Sequence, residues 1–200
     1  MNNKSFITIH GIRKFGSSPT HMRPINESLL SSNLRTIPVN YGYTLLPITN
    51  RKSVSRAIPV LENELKRGRD ITLIGYSNGA WTALQLAEMA YPIQRLVLIS
   101  PALHSAHAFP QIPSLERVDV FYCPTDNVGD LAKTWRGVTR IMPWRWFSPH
   151  PYGRMMKTGF IGEDERVFNH RLGDHVGHAF YNHADAVSHI IEVIKYETPY

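Results

Sequence analysis

The stretch from Ile71 to Ala87, Ile-Thr-Leu-Ile-Gly-Tyr-Ser-Asn-Gly-Ala-Trp-Thr-Ala-Leu-Gln-Leu-Ala, constrains the fold more than any other part of this 200-residue chain. An apolar run rich in β-formers enters Gly75-x-Ser77-x-Gly79, and small and apolar residues at helical spacing leave it. The pattern reads strand, sharp turn, helix. A turn that tight puts its central residue in a strained backbone conformation, and side chains two positions to either side would collide, so Gly75 and Gly79 fit there. Its product is a serine hydroxyl standing clear at the end of a sheet, beside the N-terminus of a helix.

The rest of the chain repeats this alternation. Phe6-Ile-Thr-Ile9 is a short β-rich run that ends in His10-Gly11-Ile12 and a polar loop reaching Pro19. Residues 26–33 suit a first crossover helix, although serines favour caps over helix interiors. Residues 35–40 alternate as a second strand. Ser53 to Arg67 places Val54, Ala57, Ile58, Leu61 and Leu65 on one helical face; Pro59 interrupts it and is tolerated in a first turn, so a helix start at Pro59 is the alternative.

Gly68 is a suitable terminator for that helix. After the strand 71–75 and the helix 80–90 comes Arg95-Leu-Val-Leu-Ile-Ser100, whose continuous apolar centre suits a strand covered on both faces. The next strand, 117–123, ends in the turn Pro124-Thr-Asp126-Asn127. From 132 to 164, Trp135, Trp144, Trp146, Phe147, Tyr152 and Phe160 mix with prolines and glycines. So long a segment without a regular pattern carries a function or hides small helices. Residues 166–168 suit a last short strand, and 184–195 a last helix with Val187, Ile190, Ile191 and Ile194 inward. The expected fold is α/β, a three-layer sandwich around a mostly parallel sheet of about six strands. A single domain is expected over residues 1–200, with an aromatic-rich insertion at 132–164. In such sheets ligands sit outside the carboxyl ends of the strands.

Composition narrows the function. With 42% hydrophobic and 19% charged residues, the chain has the balance of an ordinary globular domain. No stretch approaches the ~18 consecutive apolar residues that a membrane helix needs, so no membrane span is expected. The first residues enter a strand without the basic region and apolar stretch of a secretory signal, which gives an expected cytoplasmic location. The single cysteine, Cys123, excludes an internal disulfide and any multi-cysteine zinc site, and its strand-like surroundings suit buried packing. The net charge of +6 comes from scattered arginines and lysines, densest at Lys66-Arg67-Gly68-Arg69. No nucleic-acid module accompanies them, so a solvated surface and no nucleic-acid partner are expected.

A serine hydroxyl is a poor nucleophile until a base removes its proton, and the base works best when a third group fixes its tautomer. Downstream of Ser77 stand Asp126, after the strand that follows Ser100, and His178, between the last strand and the last helix. Serine, acid, histidine is the chain order expected of this architecture. On these residues, with His10-Gly11, Gly75-Tyr76-Ser77-Asn78-Gly79, Leu98-Ile99-Ser100-Pro101-Ala102, Pro124-Thr125-Asp126 and Gly177-His178, the chain resembles a small α/β-hydrolase. The elbow is the most specific of these motifs, and the resemblance runs from Phe6 almost to the C-terminus.

The resemblance implies Ser77 as nucleophile, His178 as general base and then acid, and Asp126 as the orienting carboxylate. It implies an oxyanion hole made by the backbone N–H groups of Asn78 and of Ile12 or Gly11, with His10 bracing that loop. It further implies a small-molecule ester-type substrate, no cofactor and no metal. Two departures stand out: the antiparallel strands that commonly open the fold have no counterpart, and the usual cap reduces to the aromatic segment.

The residues leave alternatives open. Asp130, Asp119 and Asp174 compete with Asp126, which could merely cap a helix, and His175 competes with His178. Ser77 could belong to a tight turn that happens to use serine. His175, His178 and His183, with Asp174 and Asp185, could hold a transition metal, but their spacings match no specific metal signature. The aromatic segment could line an apolar substrate pocket or bury its tryptophans against the core. Against a serine hydrolase stand an acyltransferase using the same residues and a catalytically silent binding module that grips its partner through the aromatic segment.

Overall fold

The computed structural model describes residues 3–11, 19–41, 50–128 and 153–196, to which all structural statements refer. The apolar, β-branched runs become six strands: β1 (Lys4–Ile9), β2 (Arg35–Val39), β3 (Asp70–Tyr76), β4 (Ile93–Ile99), β5 (Arg117–Tyr122) and β6 (Val167–Arg171). They form one sheet in the order β2-β1-β3-β4-β5-β6, parallel throughout. The central strands read as continuous apolar runs because helices cover both faces.

Successive strand residues point to opposite faces, so each face builds its own core. Ile7, Leu73, Leu96 and Leu98 pack with Ala57 and Leu61 of α2 (Asn50–Lys66) and with Ala83 and Leu84 of α3 (Asn78–Glu88). Phe6, Ile74, Val97 and Ile99 pack with Ile25 and Leu29 of α1 (Arg23–Ser31) and with Ile190 and Ile194 of α5 (Ala184–Tyr196). The result is the three-layer α/β sandwich, here with every strand parallel.

Several boundaries differ from the sequence reading. The helix expected from Ser53, or from Pro59, starts at Asn50 and continues through Pro59. A proline inside a helix costs roughly 3 kcal/mol. Each fully buried large aliphatic side chain contributes about 1.5–3 kcal/mol. In the stripe, Ala57 and Leu61 are fully buried and Val54, Ile58 and Leu65 pack partly buried against the same core, and together they outweigh the interruption. The first helix covers residues 23–31 instead of 26–33, with Pro24 in its first turn, and it ends where the hydroxyls of Ser31 and Ser32 turn back to the Ser28 carbonyl. The last strand runs to Arg171 beyond the expected 166–168, drawn into register along β5.

Within the aromatic segment, residues 153–164 are described and contain one short helix, α4 (Met155–Thr158). Its N-terminal Met155 N–H donates to the Leu103 carbonyl (3.0 Å), and the Met156 carbonyl accepts from Cys123 N–H (2.9 Å). Trp135, Trp144, Trp146, Phe147 and Tyr152 lie outside the described residues. Cys123 is fully buried at the end of β5. Among the described residues no helix is long and apolar enough to cross a membrane.

Two buried carboxylates fasten the layers. Asp119 on β5 accepts from Arg95 (2.7 Å), Arg117 (2.8 Å) and His170 (2.8 Å). Arg95 also donates to the Val193 and Ile194 carbonyls at the end of α5. Glu64 on α2 is fully buried and accepts from Ser5 on β1 (2.7 Å) and from Arg35 on β2 (2.6 and 2.9 Å). The Arg35 guanidinium holds the Glu64 carboxyl at about 2, from an ordinary 4.5, against desolvation that pushes it up. A carboxyl depressed on folding stabilises fully above its unfolded value and loses that contribution as pH falls through its folded value. Urea unfolding should therefore show wild type more stable than Glu64→Gln at neutral pH, with the gap closing as pH falls from 4.5 to about 2.

Candidate active site

The sheet delivers its unusual residues to one edge. His10 and Gly11 leave β1, Tyr41 follows β2, Ser77 leaves β3, Ser100 leaves β4, Asp126 follows β5, and His178 follows β6. Strand order reverses direction at β1 and β3, the position where open parallel sheets bind ligands. Ser77 and the His10-Gly11 pair occupy that position.

Ser77 adopts φ 53° and ψ −118°. Its N–H donates to the Ile99 carbonyl (2.9 Å), and its carbonyl accepts from Ala80 N–H (3.1 Å) and Ala102 N–H (3.2 Å). The two glycines make room for this turn. A Cβ on Gly75 would lie 2.6 Å from the Ala80 Cα and the Gly79 carbonyl oxygen, and one on Gly79 would overlap the carbonyls of Ile9 and His10. Directly before α3, a serine commonly caps the helix with its hydroxyl. Ser77 makes no such cap and points its Oγ at His178 Nε2, 3.1 Å away.

The other imidazole nitrogen, His178 Nδ1, lies 2.8 Å from Asp126 Oδ2. Asp126 is fully buried, and its Oδ1 accepts from Val128 N–H (3.0 Å), so one carboxylate both holds its own turn and meets the imidazole. His178 sits in the turn after β6, where Gly177 takes φ 57°. The competing acids and base are engaged elsewhere: Asp119 in its buried arginine cluster, Asp174 with Arg171 (2.9 Å), and His175 with Asp185 (3.0 Å). Asp130 lies outside the described residues.

Asn78 opens α3, where the helix dipole favours negative charge. Gly11 lies against the serine: a Cβ there would stand 3.0 Å from Ser77 Cβ. Its carbonyl accepts from the Tyr41 hydroxyl (3.0 Å) and lies 2.7 Å from His10 Nδ1. The Tyr41 hydroxyl also contacts the His10 carbonyl, and the two rings stack with centroids 4.0 Å apart. Ile12 lies outside the described residues.

Two tyrosines that hold the site's loops were not singled out in the sequence. Tyr41 braces the loop beside Ser77, and Tyr76 donates its hydroxyl to the His178 backbone carbonyl (2.9 Å) while its ring lies 5.2 Å from the imidazole. Burial, followed by the neighbouring Tyr181 and Asp126, raises the Tyr76 phenol far above its ordinary range, so it stays a donor. An aromatic just before the serine of the elbow was the available signal for Tyr76. His21 stacks on Tyr181 (4.6 Å) and meets the Tyr76 edge (5.7 Å), completing an aromatic wall behind the imidazole.

Among the described residues, His175, His183 and Asp185 are the group of potential metal ligands whose donor atoms lie together, within 4.8 Å of one another. His178 does not belong to it.

No family model matches the chain, and no curated protein sequence does. Its fold does match solved structures. An α/β serine hydrolase without a lid from Xanthomonas campestris superposes with TM-score 0.63 at 14% identity, over 100% of this chain and 84% of that one. An α/β serine hydrolase homologue from Coxiella burnetii gives 0.57 at 14%, over 99% and 86%. An esterase from Pyrococcus furiosus gives 0.52 at 14%, over 98% and 83%. The chain therefore has the α/β-hydrolase fold.

Overpacking a tight site costs about 1–3 kcal/mol or more, so Gly79→Ala should lower unfolding stability by at least that much, read from urea midpoints. Tyr76→Phe removes one hydrogen bond and should cost about 1 kcal/mol in the same measurement.

Proposed function

We propose that this chain is a serine hydrolase that cleaves an ester, thioester or small amide through an acyl-enzyme intermediate. The observation that carries the reading is the continuous chain of contacts from Ser77 Oγ to His178 Nε2 (3.1 Å) and from His178 Nδ1 to Asp126 Oδ2 (2.8 Å). An unactivated hydroxyl gains nucleophilicity when a base stands at hydrogen-bond distance and a carboxylate fixes that base's tautomer.

In this reading Ser77 Oγ attacks the substrate carbonyl carbon while His178 Nε2 accepts the hydroxyl proton. Asp126, accepting from Nδ1–H, stabilises the imidazolium. The tetrahedral oxyanion accepts hydrogen bonds from the Asn78 N–H and from the N–H of Gly11 or Ile12. Collapse expels the alcohol, thiol or amine, which takes the proton from Nε2. Water then attacks the acyl-serine with His178 again as base, and Ser77 is regenerated. The His10 and Tyr41 contacts support the role of the 10–11 loop, since an oxyanion donor acts only if it is fixed before the reaction.

Two features favour this over a turn that happens to contain serine. The hydroxyl forgoes the helix cap it could make, and a buried carboxylate stands behind the imidazole it meets. An acyltransferase using the same residues would share the first half of this reaction and differ only in the nucleophile that takes the acyl group.

A fluorophosphonate probe should label the purified protein, and Ser77→Ala should abolish labelling; labelling that survives would move the nucleophile elsewhere. Asp126→Asn should lower kcat on short esters by about 10,000-fold, as loss of the tautomer-fixing carboxylate does in serine proteases. A series of ester chain lengths, assayed beside Ser77→Ala, identifies the acyl group preferred.

A further inference from the structure

The proposed reaction leaves unused the donor cluster beside the imidazole loop. His175 lies in the turn after β6; His183 immediately precedes α5, where its carbonyl accepts from Val187 N–H (3.1 Å); Asp185 is in the first turn of α5. The donor atoms of all three lie within 4.8 Å of one another, with His175 Nε2 and Asp185 Oδ2 at 3.0 Å and the two imidazole centroids at 5.2 Å.

The neighbours select these three. Asp174 is paired with Arg171, whose guanidinium it neutralises, and His178 spends both nitrogens on Ser77 and Asp126. Glycine at 173 leaves the space the His175 ring occupies; a Cβ there would lie 2.6 Å from it.

We propose that His175, His183 and Asp185 bind one divalent transition-metal ion of the zinc type, which clips the turn after β6 to the start of α5. Two imidazoles and a carboxylate are a donor set for zinc, cobalt, nickel or copper, whereas calcium and magnesium require a shell of oxygens. A tetrahedral ion with bonds of about 2.0–2.1 Å sets its ligand atoms about 3.4 Å apart. The His175 and Asp185 atoms already stand closer than that, and both side chains are exposed and can adjust, while the His183 backbone is tied to α5 through its carbonyl. Water completes the coordination. The ion spans residues 175 to 183 and so fastens both ends of the segment that carries His178, a tie independent of any role of that imidazole in catalysis.

The test is a titration of the full chain, freed of metal by chelator, with Zn²⁺ followed by calorimetry and with Co²⁺ followed by visible absorption. One equivalent should bind and Tm should rise with Zn²⁺. Removing even an outer-shell group weakens metal sites about 10- to 100-fold. His175→Ala and Asp185→Asn, and separately His183→Ala, should therefore each weaken binding by at least about tenfold. His104→Ala should leave affinity unchanged. Far-UV circular dichroism and the metal-free Tm of each variant separate lost binding from lost folding. No saturable binding by wild type overturns the proposal, as does binding that persists in His175→Ala and Asp185→Asn but disappears in His178→Ala.

Discussion

The positive φ of Ser77, 53°, is the constraint from which the arrangement at the sheet edge follows. A non-glycine residue in so sparsely populated a conformation costs about 1–3 kcal/mol and persists only when its surroundings over-determine it. Here its N–H is fixed to β4 at Ile99, its carbonyl is shared by Ala80 and Ala102, and bare glycines flank it on both sides. The same geometry turns the hydroxyl away from the helix end and toward the imidazole. Ser100, at the end of the neighbouring strand, takes φ 43°, so two adjacent strands leave the sheet through strained serines. The other described non-glycine residues at positive φ, Asn33 and Ala90, follow the ends of α1 and α3, whereas these two serines stand where strands leave the sheet.

The rest of the molecule makes that strain sustainable. The sheet is buried on both faces, and its ionic fasteners join layers: Glu64 links α2 to the first two strands, and Asp119 with Arg95 links β4 and β5 to α5. The backbone of the edge loops is in turn held by tyrosine hydroxyls, Tyr41 donating to the Gly11 carbonyl and Tyr76 to the His178 carbonyl. A reactive arrangement that must be kept within a fraction of an ångström needs such a supporting shell on rigid elements.

What the sequence made legible was whatever is local. The elbow announces itself because a strand, a strained turn and a helix each leave a signature within a few residues of Ser77, and the order of strands and helices gave the α/β class. Helix limits were less legible: Pro59 looks like a start, and only the packing of Leu61 and its neighbours against the sheet reveals that the helix passes through it. The partners of Tyr41 and Tyr76 were not legible, because their hydroxyls reach carbonyls far along the chain, at Gly11 and His178, which requires the strand register to be known. The crowded histidines show the same limit. The sequence groups His175, His178 and His183 as one possible metal set, whereas the segment folds so that 178 faces Ser77 and 175 faces Asp185.

The claim on which the account rests is that the hydroxyl of Ser77 becomes acylated. The most direct measurement is a rapid-mixing assay with p-nitrophenyl acetate followed by quenching and peptide mapping by mass spectrometry. The account predicts a burst of one equivalent of nitrophenolate with the acetyl group recovered on the peptide at Ser77, the kinetic mark of a covalent intermediate. Turnover without that acyl-peptide under conditions that trap it, or an acetyl group recovered on another residue, would contradict it.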